Sequence, residues 1–205
     1  MDSRRAQLLE LGLRLFGRRS YDEVSIDDIA QAANVSKGLL YHYFGGKRAF
    51  YVAVVRDGAR RLKEAIEPDP ELPPPARALA GLEAYLRFVE DRADAYTALV
   101  NGGLGADPEI FDILEQTRRQ QVQSMLTDMG LREPRPAYRL SLRAWIGGVE
   151  TACVDWLRDP VLPRAQLLQL LLTGLQGALA AAYAIDPVAE LTVPIPRLLE
   201  VDPPG

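Results

Sequence analysis

Lys37, Tyr41, His42, Tyr43 and Lys47 fall within the fourteen-residue stretch "NVSKGLLYHYFGGK", residues 34 to 47. His42 is the only histidine of the chain and Cys153 the only cysteine. A zinc site or a nucleophile–base pair needs at least one further imidazole or thiol, so neither can be assembled within one chain. The glycines of "NGGLGADP" do not follow a strand and make no phosphate loop. Carboxylate pairs exist, as in any helical protein with 28 acidic residues, and their default place is a solvated face. No catalytic residue, metal or cofactor is expected, and the chain is read as non-enzymatic. What two lysines, two tyrosines and an imidazole can do together is recognise a charged, hydrogen-bonding surface. An enzyme is the competing class, and a helical binding or adaptor protein without DNA contact is a further one.

Helices must position these side chains, because apolar residues recur at the helical period nearly throughout. Ala6, Leu9, Leu13 and Phe16 form one stripe, which predicts an amphipathic helix over residues 4 to 17. Ser25 precedes Ile26, Ile29, Ala30 and Ala33, with Asp28 three residues after the serine, the pattern of a capped helix start. Asn34 accepts a left-handed backbone, so Asn34-Val35 can turn the chain into a third helix from about Ser36. Two short helices on a tight turn after a longer one spell helix-turn-helix.

On the third helix, Leu40 and Phe44 stand at i and i+4 and pack inward. Gly38, Leu39, Tyr41 and His42 fall opposite. Tyr41, His42 and Tyr43 could simply complete a small core, but the wheel sets the first two off that side. Gly38 in the first turn costs about 0.5–1 kcal/mol relative to Ala. A helix pressed by its backbone against a DNA major groove explains all three features.

The segment "SIDDIAQAANVSKGLLYHYFGGKRAFY", residues 25 to 51, resembles the helix-turn-helix of the TetR family of transcriptional repressors. Its DIA, VSKG, LYHYF and following Lys stand in that family's order, and "LGLRLFGRRSYDEV" resembles the family's first helix. Asn34 and Ser20 replace glycines usual at the two turns, and Gly46 sits where Ser or Asn usually caps the fourth helix. The resemblance implies that Ser36, Lys37, Gly38, Leu39, Tyr41, His42 and Tyr43 sit at or beside the groove and that Lys47 meets a phosphate. Lysines would supply sequence-independent affinity and tyrosine hydroxyls register. His42 can address a base edge and Leu39 a thymine methyl.

A fourth helix is expected from Lys47 to about Ile66. The five-proline stretch "EPDPELPPPA", residues 67 to 76, is read as a loop. Further helices are predicted at 76 to 93, 94 to 103, 107 to 129, 136 to 158 and 163 to 184, with turns at "NGGLGADP" and "MGLREPRP". The tail from Asp186 is expected to be poorly ordered. The fold class is thus all-α, with a three-helix DNA-binding domain over residues 1 to 50 and a helical ligand-binding and dimerisation domain over 51 to 205.

In the TetR family the body holds a small-molecule pocket, and the resemblance implies one here, with no cofactor. Tyr85, Phe88, Tyr96, Phe111, Trp145 and Trp156 are candidate lining residues, each with plain core as its alternative. Val149, Glu150 and Cys153 join them from "WIGGVETACVDWL". A carboxylate in that apolar company must find a hydrogen-bond donor or a ligand, the alternative being that Glu150 is simply exposed at the surface. The implied protein is a ligand-responsive regulator, a repressor in the family's manner. It binds palindromic operator DNA as a homodimer through the helices at 136 to 158 and 163 to 184, and a mostly apolar effector releases it.

Charge is consistent with this division. The net charge is −4, yet residues 1 to 60 carry +3 and the remainder −7, so a basic module sits on an acidic body. Residues 165 to 185 hold no charge and match a bilayer span in length. Gln166, Gln169 and Gln176 favour instead a helix buried on most of its circumference. No secretory signal is read at the start, and a cytoplasmic location without membrane contact is expected.

Overall fold

The computed structural model describes residues 3–102, 107–131 and 135–188. Among these the regular elements are all helices: α1 (Ser3–Arg18), α2 (Ile26–Ala33), α3 (Lys37–Phe44), α4 (Lys47–Ile66) and α5 (Pro74–Asp91), then α6 (Ala93–Gly102), α7 (Pro108–Asp128), α8 (Pro136–Arg158) and α9 (Arg164–Ile185). The fold is all-α, as the periodicity predicts. Residues 103–106, 132–134 and 189–205, which include parts of the two predicted turns and most of the tail, lie outside the described residues.

Two expectations on local structure are corrected. The buried stripe of α1 is Leu8, Leu9, Gly12 and Phe16, while Ala6 and Leu13 are only half-buried. The stripe is rotated because α1 meets neighbours on more than one side, including α2 and α6. The helix expected from residue 76 begins at Pro74, with Arg77 N–H closing the first turn on Pro73 O at 3.0 Å. A proline in the first helical turn forfeits an N–H that has no partner there, so part of the proline run starts the helix that it was expected only to precede.

The chain divides into two compact units, residues 1–64 with 89–115, and residues 65–88 with 116–205. In the first, Leu8, Leu9 and Phe16 of α1 join Val24, Ile29, Leu40, Phe50 and Val54 in one core. Each such side chain contributes about 1.5–3 kcal/mol by leaving water. Gly12 lets α1 approach α4, since a Cβ there would stand 2.4 Å from Val54 Cγ2 and 2.7 Å from Phe50 Cζ. A Cβ at Gly17 would likewise stand 2.7 Å from the backbone N of Ala95.

An ionic cluster closes the α1–α4 seam. Asp57 is 8% exposed and accepts from Arg60 Nη2 at 2.6 Å and Arg61 Nε at 2.7 Å. Arg61 Nη1 also donates to Glu10 Oε2 at 2.7 Å. Burial pushes the Asp57 carboxyl up, but the two guanidiniums outweigh it and hold the group below its ordinary value.

In the second unit, Val122, Leu126 and Met129 pack with Tyr138, Leu142 and Ile146 of α8 and Leu175, Leu179 and Ala182 of α9. The uncharged run of α9, residues 165 to 185, was expected to be buried on most of its circumference, and it is not. It buries one stripe, Leu167, Leu171, Leu175, Leu179 and Ala182, and only 28% of its most apolar window is buried. The stripe repeats every three to four residues and packs chiefly on α8, with Val122, Leu126 and Met129 in the same core; glutamines, glycines, alanines and Leu170 occupy the open faces. By length and composition α9 could cross a membrane.

Candidate nucleic-acid interface

The two helices of the interface are fixed by their caps. Ser25 Oγ accepts from Asp28 N–H at 3.0 Å, and Asp28 Oδ2 accepts from Ser25 N–H at 2.8 Å, a reciprocal capping box. The Asp28 carboxyl is held below its ordinary value, first by that Ser25 N–H, then by the Ser25 hydroxyl. At the other end Asn34 takes φ 51 and ψ 52, and Val35 N–H reaches back to Ala30 O at 3.0 Å. The left-handed residue ends α2 and turns the chain at once into α3. Ser36 caps α3 by accepting from Leu39 N–H at 3.2 Å, and Gly45, with φ 79, closes it. Ser20, at the earlier turn, donates its N–H and hydroxyl to Glu23 Oε2, both at 2.8 Å. Gly46 serves as the start of α4, its carbonyl accepting from Phe50 N–H at 2.9 Å.

The inner face of α3 is Leu40, 1% exposed, and Phe44, whose ring meets Phe50 edge-on at 4.8 Å between centroids. Its outer face carries Ser36, Lys37, Gly38, Tyr41 and His42, all exposed. Leu39 and Tyr43 are half-buried at its edges, and Tyr43 packs partly on the core. Among the described residues a Cβ added at Gly38 would find only Ser36 Oγ, at 3.8 Å, so none of them requires a glycine there. The Lys37 ammonium pairs with Asp27 of α2. Lys47, half-buried, places its ammonium 4.1 Å from the centre of the Tyr21 ring. Neither Asp27 nor Tyr21 stands out in the sequence: the first reads as a first-turn helix acid and the second as a core aromatic.

The candidate ligand residues divide between the units. Tyr96, buried, and Phe111, exposed, belong to the first, and the other seven to the second. Tyr85, Val149 and Cys153 are buried, while Phe88, Trp145, Glu150 and Trp156 are half-buried. Both indoles spend their N–H on backbone, Trp145 on Leu171 O at 2.9 Å and Trp156 on Leu162 O at 2.8 Å. Glu150 finds its donor in Arg118, a residue that sequence reading passes over among 21 arginines. Arg118 Nε lies 2.9 and 3.0 Å from the two carboxylate oxygens. Arg118 is itself only 5% exposed. Among the described residues no group of three His, Cys, Asp or Glu side chains could hold a metal.

A capped helix-turn-helix with a solvent-facing second helix, on an all-helical body, defines a DNA-binding regulator. Comparison with known proteins makes this specific. Residues 8–54 match the family described as "Bacterial regulatory proteins, tetR family", and residues 74–176 the "Tetracyclin repressor-like, C-terminal domain". A TetR-family transcriptional regulator from Streptomyces coelicolor is 32% identical. That match covers 97% of this chain and 89% of that one, with a TM-score of 0.82. A TetR-like regulator from Rhodococcus, 22% identical over 92% of this chain and 98% of that chain, shares the fold with a TM-score of 0.69. The HTH-type transcriptional activator FasR of Mycolicibacterium smegmatis is 29% identical over 53% of this chain and 51% of its own length. BetI of Brucella anthropi is 39% identical over 29% of this chain and 30% of its own. The chain thus spans about half the length of FasR, and less of BetI. The chain belongs to the TetR family of transcriptional regulators, a family of non-enzymatic DNA-binding proteins.

Proposed function

We propose that the chain represses transcription in the cytoplasm by binding a palindromic operator as a homodimer, and that a small, mostly apolar effector releases it. Residues 1 to 50 bind the DNA and residues 51 to 205 provide dimerisation and effector binding. Ser36, Lys37, Gly38, Leu39, Tyr41, His42, Tyr43 and Lys47 form the interface. The observation that carries this reading is the open outer face of α3, where Gly38 touches nothing that would forbid a side chain. A glycine there lets the backbone come close to base edges, and the lysines supply phosphate affinity. In the second unit, Tyr85, Phe88, Trp145, Val149, Glu150, Cys153 and Trp156 are the residues proposed to meet the effector.

Operators selected from genomic fragments with the purified protein test the reading. Half-sites should be related by two-fold symmetry, with centres roughly 34–36 Å or a multiple of that apart. Lys47→Ala should weaken binding to every duplex, whereas His42→Ala should change base preference, at a cost of roughly 1–3 kcal/mol on the cognate site. Equal loss on cognate and scrambled DNA would remove His42 from base reading. Effector binding and operator binding must weaken each other by the same factor, on the order of 5 to 150-fold. A second reading, activation of transcription, is favoured by FasR, which is named an activator. A reporter fused to the selected operator distinguishes the two by the sign of its response when the gene is deleted.

A further inference from the structure

We propose that Asp27 is an intramolecular competitor for the phosphate that Lys37 would otherwise bind, so that the carboxylate sets the strength and salt dependence of DNA binding. This rests on the assignment of α3 as the DNA-reading helix. The α2 amino terminus carries two carboxylates in its first turn, Asp27 and Asp28. Asp28 is fully engaged in capping, accepting the N–H and hydroxyl of Ser25 at 2.8 and 2.7 Å and lying 3.4 Å from Arg19. The cap therefore does not need Asp27. Asp27 instead reaches across to the Lys37 ammonium, at the first residue of α3, with both side chains more than half exposed. A helix amino terminus beside a lysine is by its electrostatics a place for a phosphate oxygen. Here a carboxylate of the same chain already holds that lysine.

Two costs follow when a duplex docks on α3. A phosphate must displace Asp27 from Lys37, so the lysine's charge is not gained in full. Asp27 is then left facing the phosphate backbone unneutralised, which repels the duplex whatever its sequence. Both costs are independent of the bases read by the rest of α3. Removing the carboxylate should therefore strengthen binding to all duplexes and add about one phosphate contact's worth of salt dependence. With a slope of about 0.9 per phosphate in log affinity against log salt, one additional contact is worth roughly fivefold at 0.15 M relative to 1 M salt. A pair that served only to hold α2 against α3 would predict the reverse, since loosening it would weaken binding.

The test is a double-mutant cycle on the full chain, with fluorescence anisotropy on the selected operator and on a scrambled duplex across 0.1 to 0.4 M salt. Asp27→Asn should tighten binding to both duplexes by roughly eightfold at 0.1 M and roughly twofold at 0.4 M, which steepens the slope by about 0.9. In a Lys37→Ala background the slope increase should be clearly smaller, because only relief of the repulsion by Asp27 itself is left; an increase as large as in the unchanged background would overturn the competition for Lys37. Asp27→Glu, which keeps the charge, should behave as the unchanged chain. Weaker binding by Asp27→Asn, an unchanged slope, or a shift in base preference confined to the operator would each overturn the proposal. Thermal unfolding of every variant guards against misfolding: if Asp27→Asn unfolds early, Asp27→Ser serves in its place. Failure of the unchanged chain to bind any duplex would instead overturn the DNA-binding assignment of α3, a separable result.

Discussion

Arg48 and Asp107 stand 59 residues apart and are joined by two parallel hydrogen bonds, Nε to Oδ2 at 2.8 Å and Nη2 to Oδ1 at 2.9 Å. Arg48 follows Lys47 in the first turn of α4. Asp107 opens α7, its Oδ1 accepting from Glu109 N–H at 2.9 Å and its carbonyl from Phe111 N–H at 3.0 Å. Glu109 extends the pair to Arg48 at 3.1 Å and Arg56 at 3.2 Å. A bidentate guanidinium–carboxylate contact fixes direction as well as distance. The start of α7 is thereby held to the α4 turn that carries Lys47.

The Asp107 carboxyl is held below its ordinary value, first by the Arg48 hydrogen bond. A depressed carboxyl contributes stability that is present above its unfolded-state value, about 3.9, and is lost as pH falls through the folded-state value. Arg48→Met should return the Asp107 titration toward 3.9, read by carboxyl-carbon NMR, and Asp107→Asn should remove this group's share of the acid destabilisation. An Asp107 titration unmoved by Arg48→Met would show that the pair does not persist in solution.

Ser25→Ala removes the hydroxyl half of the capping box while leaving its backbone N–H. The expected cost is about 1 kcal/mol, a fall in melting temperature of roughly 2–4 °C for a chain of this size. The Asp28 titration should rise only in part, because the larger of its two Ser25 contacts is to the backbone. Calorimetry and NMR on the same variant check both.

Glu150→Ala removes the carboxylate that answers the buried Arg118 guanidinium, and breaking a buried pair from one side costs about 3–5 kcal/mol. Replacing both, Arg118→Met with Glu150→Leu, should recover much of that loss. Urea unfolding of the two single variants and the double variant measures the coupling. If Glu150→Ala instead melts like the unchanged chain, the pair contributes nothing to stability.

Leu170 on α9 is 56% exposed and Leu140 on α8 is 58% exposed, and around Leu170 the open faces of α9 carry no charge. A second copy of the chain is the proposed cover. Leu170→Glu would place a charge in that interface and should convert a dimer to a monomer at micromolar concentration by light scattering, with loss of operator affinity. A variant that remains dimeric would put the interface elsewhere.

The sequence by itself determined the helices and the local geometry of the DNA-reading module. Ser25 with Asp28, Asn34 at the turn, Ser36 before Lys37 and Leu40 with Phe44 are relations across one helical turn or a single tight turn, where spacing and backbone preference leave little freedom. Helix bounds were legible for the same reason, with the proline run before α5 misread because proline is tolerated where a helix begins. Only the tertiary structure decided which cation answers Glu150, that Asp27 holds Lys37, that Tyr21 lies under Lys47 and that Asp107 locks onto Arg48. It also decided that α9 commits one stripe to its own chain and leaves the rest open. The periodicity of a helix tells which residues share a face, but not what that face meets. Twenty-one arginines are equivalent partners for the half-buried Glu150 carboxylate until packing brings one of them within about 3 Å.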